Sequence, residues 1–189
     1  MLDKILAKGA QIDIHILYAV NQYHIRSLDW LFVFISDATT YVSISLILSL
    51  LIVSVYRHSN PIRKRFYQLC IVFALSAITS FILKSTIMRT RPFIRYSFIE
   101  KLSTGGNSSF PSGHTLEAFA MATAFTLLLP KKKKPALIFL WASLVAYSRM
   151  ELGVHYPSDV FTGMVLGAFI GIIVCKGFRQ FSLNNSYHL

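Results

Sequence analysis

Three short clusters of polar residues interrupt an otherwise apolar chain, and their types suit the handling of an anion. The first is Lys84 with Arg91-Pro92. Seven residues make about two helical turns, so the two cations would share one helix face, with Pro92 ending the helix where Arg91 projects. Alone, Lys84 reads as an ordinary interfacial lysine whose stem lies along apolar surface. The second cluster, Pro111-Ser112-Gly113-His114, stands just ahead of an apolar run. A helix starting there offers unpaired backbone N–H groups and a positive dipole end, Ser112 adds a hydroxyl, and Gly113 lets an anion approach the backbone. A plain serine-capped helix start would explain Ser112 but not the histidine beside it. The third cluster is Ser148-Arg149, His155 and Asp159. A His with an Asp four residues on, around Pro157 at a helix start, lets a carboxylate fix the imidazole tautomer. Brought to one pocket, these clusters place three cations around an anion, with two imidazoles and a carboxylate beside it.

The elements that must position them are membrane helices. The chain has 189 residues, 54% of them hydrophobic, and a mean hydropathy of +0.54, more apolar than a soluble domain of this length needs. The expected fold is all-α, a polytopic membrane bundle forming a single domain over residues 1–189. About five crossings are expected, near residues 31–55, 67–88, 115–129, 135–152 and 160–175, each approaching the roughly 20 residues that a bilayer requires. Residues 11–25 read as an N-terminal amphipathic helix lying at the interface. No cleavable signal peptide is expected, because Asp3, Asp13, His15, Asn21 and His24 break up the first 27 residues.

The formal charge of +11 does not point to nucleic acid, since the Lys and Arg residues sit in short clusters between apolar stretches rather than along one face. Residues 57–65, Lys131 to Lys134 and the tail from Lys176 to Arg179 read as cytoplasmic by their positive charge. Loop 89–114 and loop 153–159 then face the other side, although Arg89, Arg91, Arg95 and Lys101 in the first of them run against that rule. All three polar clusters fall at this opposite end. Cys70 and Cys175 lie in apolar stretches without metal-ligand spacing, and no carboxylate cluster suits a metal. Glu117 and Glu151 lie near the clusters and read as structural ion pairs or as a balance to their positive charge.

The order Lys84-x6-Arg91-Pro92, Pro111-Ser112-Gly113-His114 and Ser148-Arg149-x5-His155-x3-Asp159 resembles the three-part signature of the type 2 phosphatidic acid phosphatase superfamily. That superfamily includes lipid phosphate phosphatases and, on a soluble scaffold, vanadium haloperoxidases. The resemblance spans residues 84–159. It implies that Lys84, Arg91 and Arg149 hold phosphoryl oxygens, with Ser112 and the Gly113 N–H assisting. His155 would be the nucleophile and form a phosphohistidine, Asp159 would orient it, and His114 would protonate the leaving oxygen and later activate water. Phosphoryl transfer is mainly positioning and charge stabilisation, so fixed cations can serve in place of a metal, and no cofactor or metal is expected.

The expected substrate is a lipid phosphate or pyrophosphate met among membrane lipids, with no obligatory protein partner. Among bacterial members, the small size resembles undecaprenyl pyrophosphate phosphatases, while phosphatidylglycerophosphate, phosphatidic acid and lipid A phosphate stay open. The expected location is the bacterial inner membrane, with the site on the periplasmic side. Two rivals remain: a vanadate-dependent haloperoxidase-like enzyme, and a non-catalytic protein that binds or moves lipid head groups.

Overall fold

A computed structural model describes residues 2–128 and 135–184 of the chain. In chain order the helices among the described residues are α1 (Leu2–Gln22), α2 (Asp29–Tyr56), α3 (Asn60–Ile87), α4 (Pro92–Arg95), α5 (Gly113–Leu128), α6 (Ala136–Glu151) and α7 (Pro157–Asn184), with a 3-10 turn at Arg26–Leu28. The Lys131 to Lys134 segment lies outside the described residues. The protein is an all-helical membrane bundle of α2, α3, α5, α6 and α7, which follow the five expected segments in order.

Three segments, Arg26–Tyr56, Asn60–Arg95 and Pro157–Gln180, are long and apolar enough to cross a bilayer. Outward-facing Trp30, Phe34, Ile52, Phe81, Phe161 and Phe169 give their helices an apolar exterior, which suits lipid rather than water. The other two bundle helices have 16 residues each, about 24 Å at 1.5 Å per residue, short of the ~30 Å of hydrocarbon. For α5 the shortfall has a physical reason. It is buried on nearly every side, so protein rather than lipid sets its length. One face joins Leu69, Val72, Val174 and Ile47, and the other joins Ile35, Ala142 and Val145.

The tightest pairing is α5 against α7. Gly163, Gly167 and Gly171 recur every fourth residue on α7 and bring its backbone onto that of α5. A Cβ on Gly167 would stand 2.3 Å from the Leu116 carbonyl oxygen and 2.9 Å from the Ala120 nitrogen. Cys175 packs into the same contact, its Sγ 4.0 Å from the Ala124 carbonyl, while Cys70 is half-buried against that core.

Some boundaries differ from those expected. The helix at the N-terminus begins at Leu2 rather than near residue 11 and ends at Gln22. It seats Leu17 against Ile99 and Tyr156 while Ile12, Ile16 and Tyr18 stay exposed. The basic stretch 57–65 is not one turn. The turn is confined to residues 57–59, with His58 left-handed at φ 47, and Arg63 to Arg65 belong to the first turns of α3. Ser36, Asp37, Thr39 and Thr40 do not break α2: Ser36 and Thr39 are buried, with Thr39 Oγ1 donating a hydrogen bond to the Ile35 carbonyl, Thr40 is half-buried, and Asp37 is exposed.

Candidate active site

Lys84 stands on the last turn of α3, where its ammonium donates to the carbonyls of Ser108 at 3.2 Å and Pro111 at 2.9 Å. Arg91 does not follow on the same helix face. The helix ends at Ile87, Met88 takes a left-handed cap at φ 45, and Arg91 sits in extended backbone, as a residue before proline prefers. It reaches the pocket from the loop, buried, with Nε 2.5 Å from the Gly106 carbonyl and Nη1 2.9 Å from that of Val154. Arg149, from the last turn of α6, is 1% exposed, hydrogen-bonds Ser36 on α2, and has no protein partner for Nε.

These three side chains bond only to neutral oxygens, and none is in a salt bridge among the described residues. Buried cations are costly without a counter-charge. The arrangement therefore carries positive charge that an anion would neutralise.

The second cluster forms the start of α5. Ser112 is fully buried, its N–H given to the Asp159 carbonyl at 3.1 Å and its hydroxyl 2.8 Å from that of Thr115. The serine thus ties α5 to α7 and lies behind the cavity wall, whereas Gly113 and His114 line the cavity.

The third cluster depends on how α6 stops. Gly153 is left-handed at φ +69, and the Gly153 and Val154 N–H groups return to the Met150 and Arg149 carbonyls at 3.0 and 3.3 Å. A side chain at Gly153 would strike the Glu100 carbonyl at 2.3 Å, so the turn requires glycine for both reasons. The reversal sets His155 at the cavity and leads through Pro157 into α7, whose first turn holds Asp159. Asp159 Oδ2 accepts the Tyr156 N–H at 2.9 Å and lies 3.6 Å from His155 Nδ1, close enough for charge stabilisation but longer than a hydrogen bond. Nδ1 is turned to Asp159, so Nε2 is the nitrogen left for the cavity.

Burial holds the His155 imidazole well below its ordinary pKa; Asp159 opposes this, and Arg149, Arg91 and Lys84 reinforce it. His155 is therefore neutral at physiological pH, the form that carries a free lone pair. Lys84, Arg91, Arg149, His114 and His155 share one cavity of about 370 Å³.

Two residues that the clusters do not include join the site. Arg89 was legible only as a loop charge, yet its Nη1 lies 2.6 Å from Asp159 Oδ1 and 2.7 Å from Ser158 Oγ, and its Nη2 lies 2.7 Å from Asp13 Oδ2. Its guanidinium also stacks on Tyr156 at 4.0 Å. Asp13, 5% exposed on α1, takes the Ser158 N–H on Oδ1 at 2.8 Å. The available signal was an acidic residue inside an amphipathic stretch and two arginines flanking Thr90. The inward contacts of half-buried Arg89 and buried Arg91 also explain why loop 89–114 carries cations. Arg95 and Lys101 lie over Tyr96 and Phe93.

The two glutamates separate. Glu117 lines the cavity and accepts a hydrogen bond from Thr40 at 2.9 Å. Glu151 is buried away from it, 3.2 Å from His24 Nδ1, whose Nε2 is 3.0 Å from Asp29. Among the described residues, no group of three or more His, Cys, Asp and Glu could hold a metal ion.

Comparison with known proteins gives concordant matches. A family model described as the PAP2 superfamily matches residues 65–182. The chain is 31% identical to an undecaprenyl-diphosphatase from Sulfolobus acidocaldarius over 85% of its own length and 76% of the relative's. It is 34% identical to a lipid A 4'-phosphatase from Bacteroides thetaiotaomicron over 54% of its length, which is 48% of that protein, so it spans about half of that relative. Its structure aligns with that of a transmembrane PAP2-type phosphatidylglycerolphosphate phosphatase from Bacillus subtilis at a TM-score of 0.75 and 26% identity, covering 92% of this chain and 87% of that one.

Proposed function

The chain belongs to the PAP2 superfamily, and from that premise we propose that it hydrolyses a lipid phosphate or pyrophosphate without a metal, through a phosphohistidine on His155. The observation that carries the reading is the cavity where Lys84, Arg91 and Arg149, bonded only to neutral groups, meet both imidazoles. Those cations bind the phosphoryl oxygens and stabilise the charge that spreads over them in the transition state.

In the first step the Nε2 lone pair of His155 bonds to phosphorus while the bond to the leaving oxygen breaks, and His114, which takes up a proton when the phosphate anion binds among the three cations, gives that proton to the leaving oxygen. Asp159 offsets the positive charge the ring gains. In the second step His114 takes a proton from water, the water oxygen bonds to phosphorus, the N–P bond breaks, and inorganic phosphate leaves.

A lipid substrate is supported by the cavity's other wall. Phe81 lines it and is also 73% exposed on the apolar surface of α3, so the cavity meets the side of the bundle that faces lipid. Undecaprenyl pyrophosphate is the leading candidate, in keeping with the relative matched over most of both chains. The site faces the periplasmic side of the inner membrane, with the basic residues of α3's first turns and the Lys176 to Arg179 segment on the cytoplasmic side.

The test is release of inorganic phosphate by purified protein from undecaprenyl pyrophosphate, phosphatidylglycerophosphate, phosphatidic acid and lipid A, in excess EDTA. Turnover of one or more of these, inhibited by vanadate, is expected. Strict dependence on an added divalent ion would overturn the mechanism. Single cysteines in residues 101–109, with Cys70 and Cys175 replaced, should react with an impermeant reagent from outside the cell.

A further inference from the structure

The first helix of the chain reaches the chemistry. We propose that Asp13 on α1 is a positioning residue for the reaction, holding Arg89 and Ser158 so that Asp159 keeps its charge and its place behind His155.

The contacts form one line. Asp13 Oδ1 accepts the Ser158 N–H at 2.8 Å, and Oδ2 lies 2.5 Å from Ser158 Oγ and 2.7 Å from Arg89 Nη2. Arg89 gives its other terminal nitrogen to Asp159 Oδ1 at 2.6 Å. Asp159 in turn faces His155. Charge alternates along this line: carboxylate, guanidinium, carboxylate, and then the imidazole that turns cationic when phosphorus bonds to Nε2.

The position of Asp13 in the series gives it a task. Arg89 alone would draw on the same charge of Asp159 that must stabilise the phosphorylated ring. Asp13 shares the guanidinium, leaving more of the Asp159 field for His155. It also fixes the first turn of α7 from outside that helix, because Ser158 adjoins Asp159. The contact has depth on its side: Asp13 is 5% exposed, Leu17 one turn on is fully buried, and Tyr18 meets Phe98 edge-on at 5.5 Å. An unpaired carboxylate would not be buried there without these donors.

This inference rests on the reading of His155 as nucleophile. The experiment measures kcat, KM and the rate of phosphoenzyme formation by rapid quench for wild type, Asp13→Asn, Asp13→Glu, Arg89→Gln and the pair Asp13→Asn with Arg89→Gln. Asp13 does not line the cavity, so Asp13→Asn should leave KM near wild type and slow kcat and phosphorylation together, by roughly 10- to 100-fold as loss of outer partners of an active-site group commonly does. Asp13→Glu retains the carboxylate in a displaced position and should fall between them. In the double variant the two losses should not multiply, because both act through Asp159.

A purely structural Asp13 predicts a lowered melting temperature with wild-type kcat per folded molecule in both Asp13 variants, and that result overturns the proposal. So does a raised KM at unchanged kcat. Where Asp13→Asn does not fold, Asp13→Glu decides alone: lowered kcat at constant KM supports positioning, and wild-type kcat removes it. Failure of the nucleophile assignment is separately visible, since wild type itself would then yield no trapped phosphohistidine.

Discussion

Arg89 Nη1 stands 2.6 Å from Asp159 Oδ1, nearer than the imidazole on the other oxygen, whose Nδ1 is 3.6 Å away. A cation thus fixes Asp159 as an anion before any substrate arrives. Arg89→Met would leave Asp13 and Asp159 buried without their shared partner, a loss on the order of 3–5 kcal/mol for a broken buried pair. The expected outcome is a clear drop in melting temperature together with lowered turnover, checked by thermal unfolding in detergent and by phosphate release. Wild-type stability would show that the pair is not needed to hold α1 and α7.

The two histidines should separate kinetically. His155→Ala is expected to abolish turnover and phosphoenzyme formation for every leaving group. As general acid, His114 matters most when the leaving oxygen is a poor one. His114→Ala should therefore cripple hydrolysis of a lipid alkyl phosphate, keep more of the first step with an aryl phosphate, and let phosphohistidine accumulate. Rapid-quench trapping of acid-labile, base-stable phosphate reads both outcomes, and phosphate trapped on His155→Ala would reverse the assignment.

Burial, aided by the surrounding cations, depresses the His155 pKa. The nucleophile must be neutral, and a depressed pKa keeps it neutral as pH falls through the ordinary imidazole range near 6.5. The limb of kcat/KM attributable to His155 should then lie below that range, so activity at pH 6 is not lost through its protonation. Arg149→Met removes one neighbouring cation and should move that limb to higher pH. A pH profile with an aryl phosphate, whose departure leans least on His114, is the measurement; a limb at or above 6.5 in the wild type contradicts the electrostatics.

Gly167 tests the helix pairing that carries the site. Even alanine would place a Cβ 2.3 Å from a backbone oxygen of α5, so α7 must shift to admit it. Overpacking of this kind commonly costs about 1–3 kcal/mol, and Gly167→Ala should lower the melting temperature accordingly, with Gly167→Val lowering it further. An unchanged melting temperature for both would mean that the two helices can separate at no cost.

Much of this was legible because spacing carries it. The Pro111 to His114 cluster opens α5 as read, and His155 and Asp159 flank the start of α7 around Pro157. The reading of Lys84 and Arg91 as partners on one helix face did not hold, because a left-handed Met88 ends α3 first. They still meet at the cavity, since the loop returns Arg91 by a different route. Arg89 and Asp13 were not legible as a pair, because a contact between residues 76 positions apart leaves no trace in local periodicity. The glycines of α7 were in plain view, but their purpose shows only against the backbone of α5.

Asp13 and Ser158 are separated by 145 positions, and that interval orders the protein's assembly in time. At 5–20 residues per second, a ribosome takes roughly 7–30 s to travel from one to the other. Throughout that interval α1 carries a carboxylate with no α7 to receive it. Late in that interval the nascent chain holds Lys84, Arg91 and His114 but is inert, since neither His155 nor its carboxylate has been made. The contact between Asp13 and Ser158 therefore closes only after the start of α7 has been made.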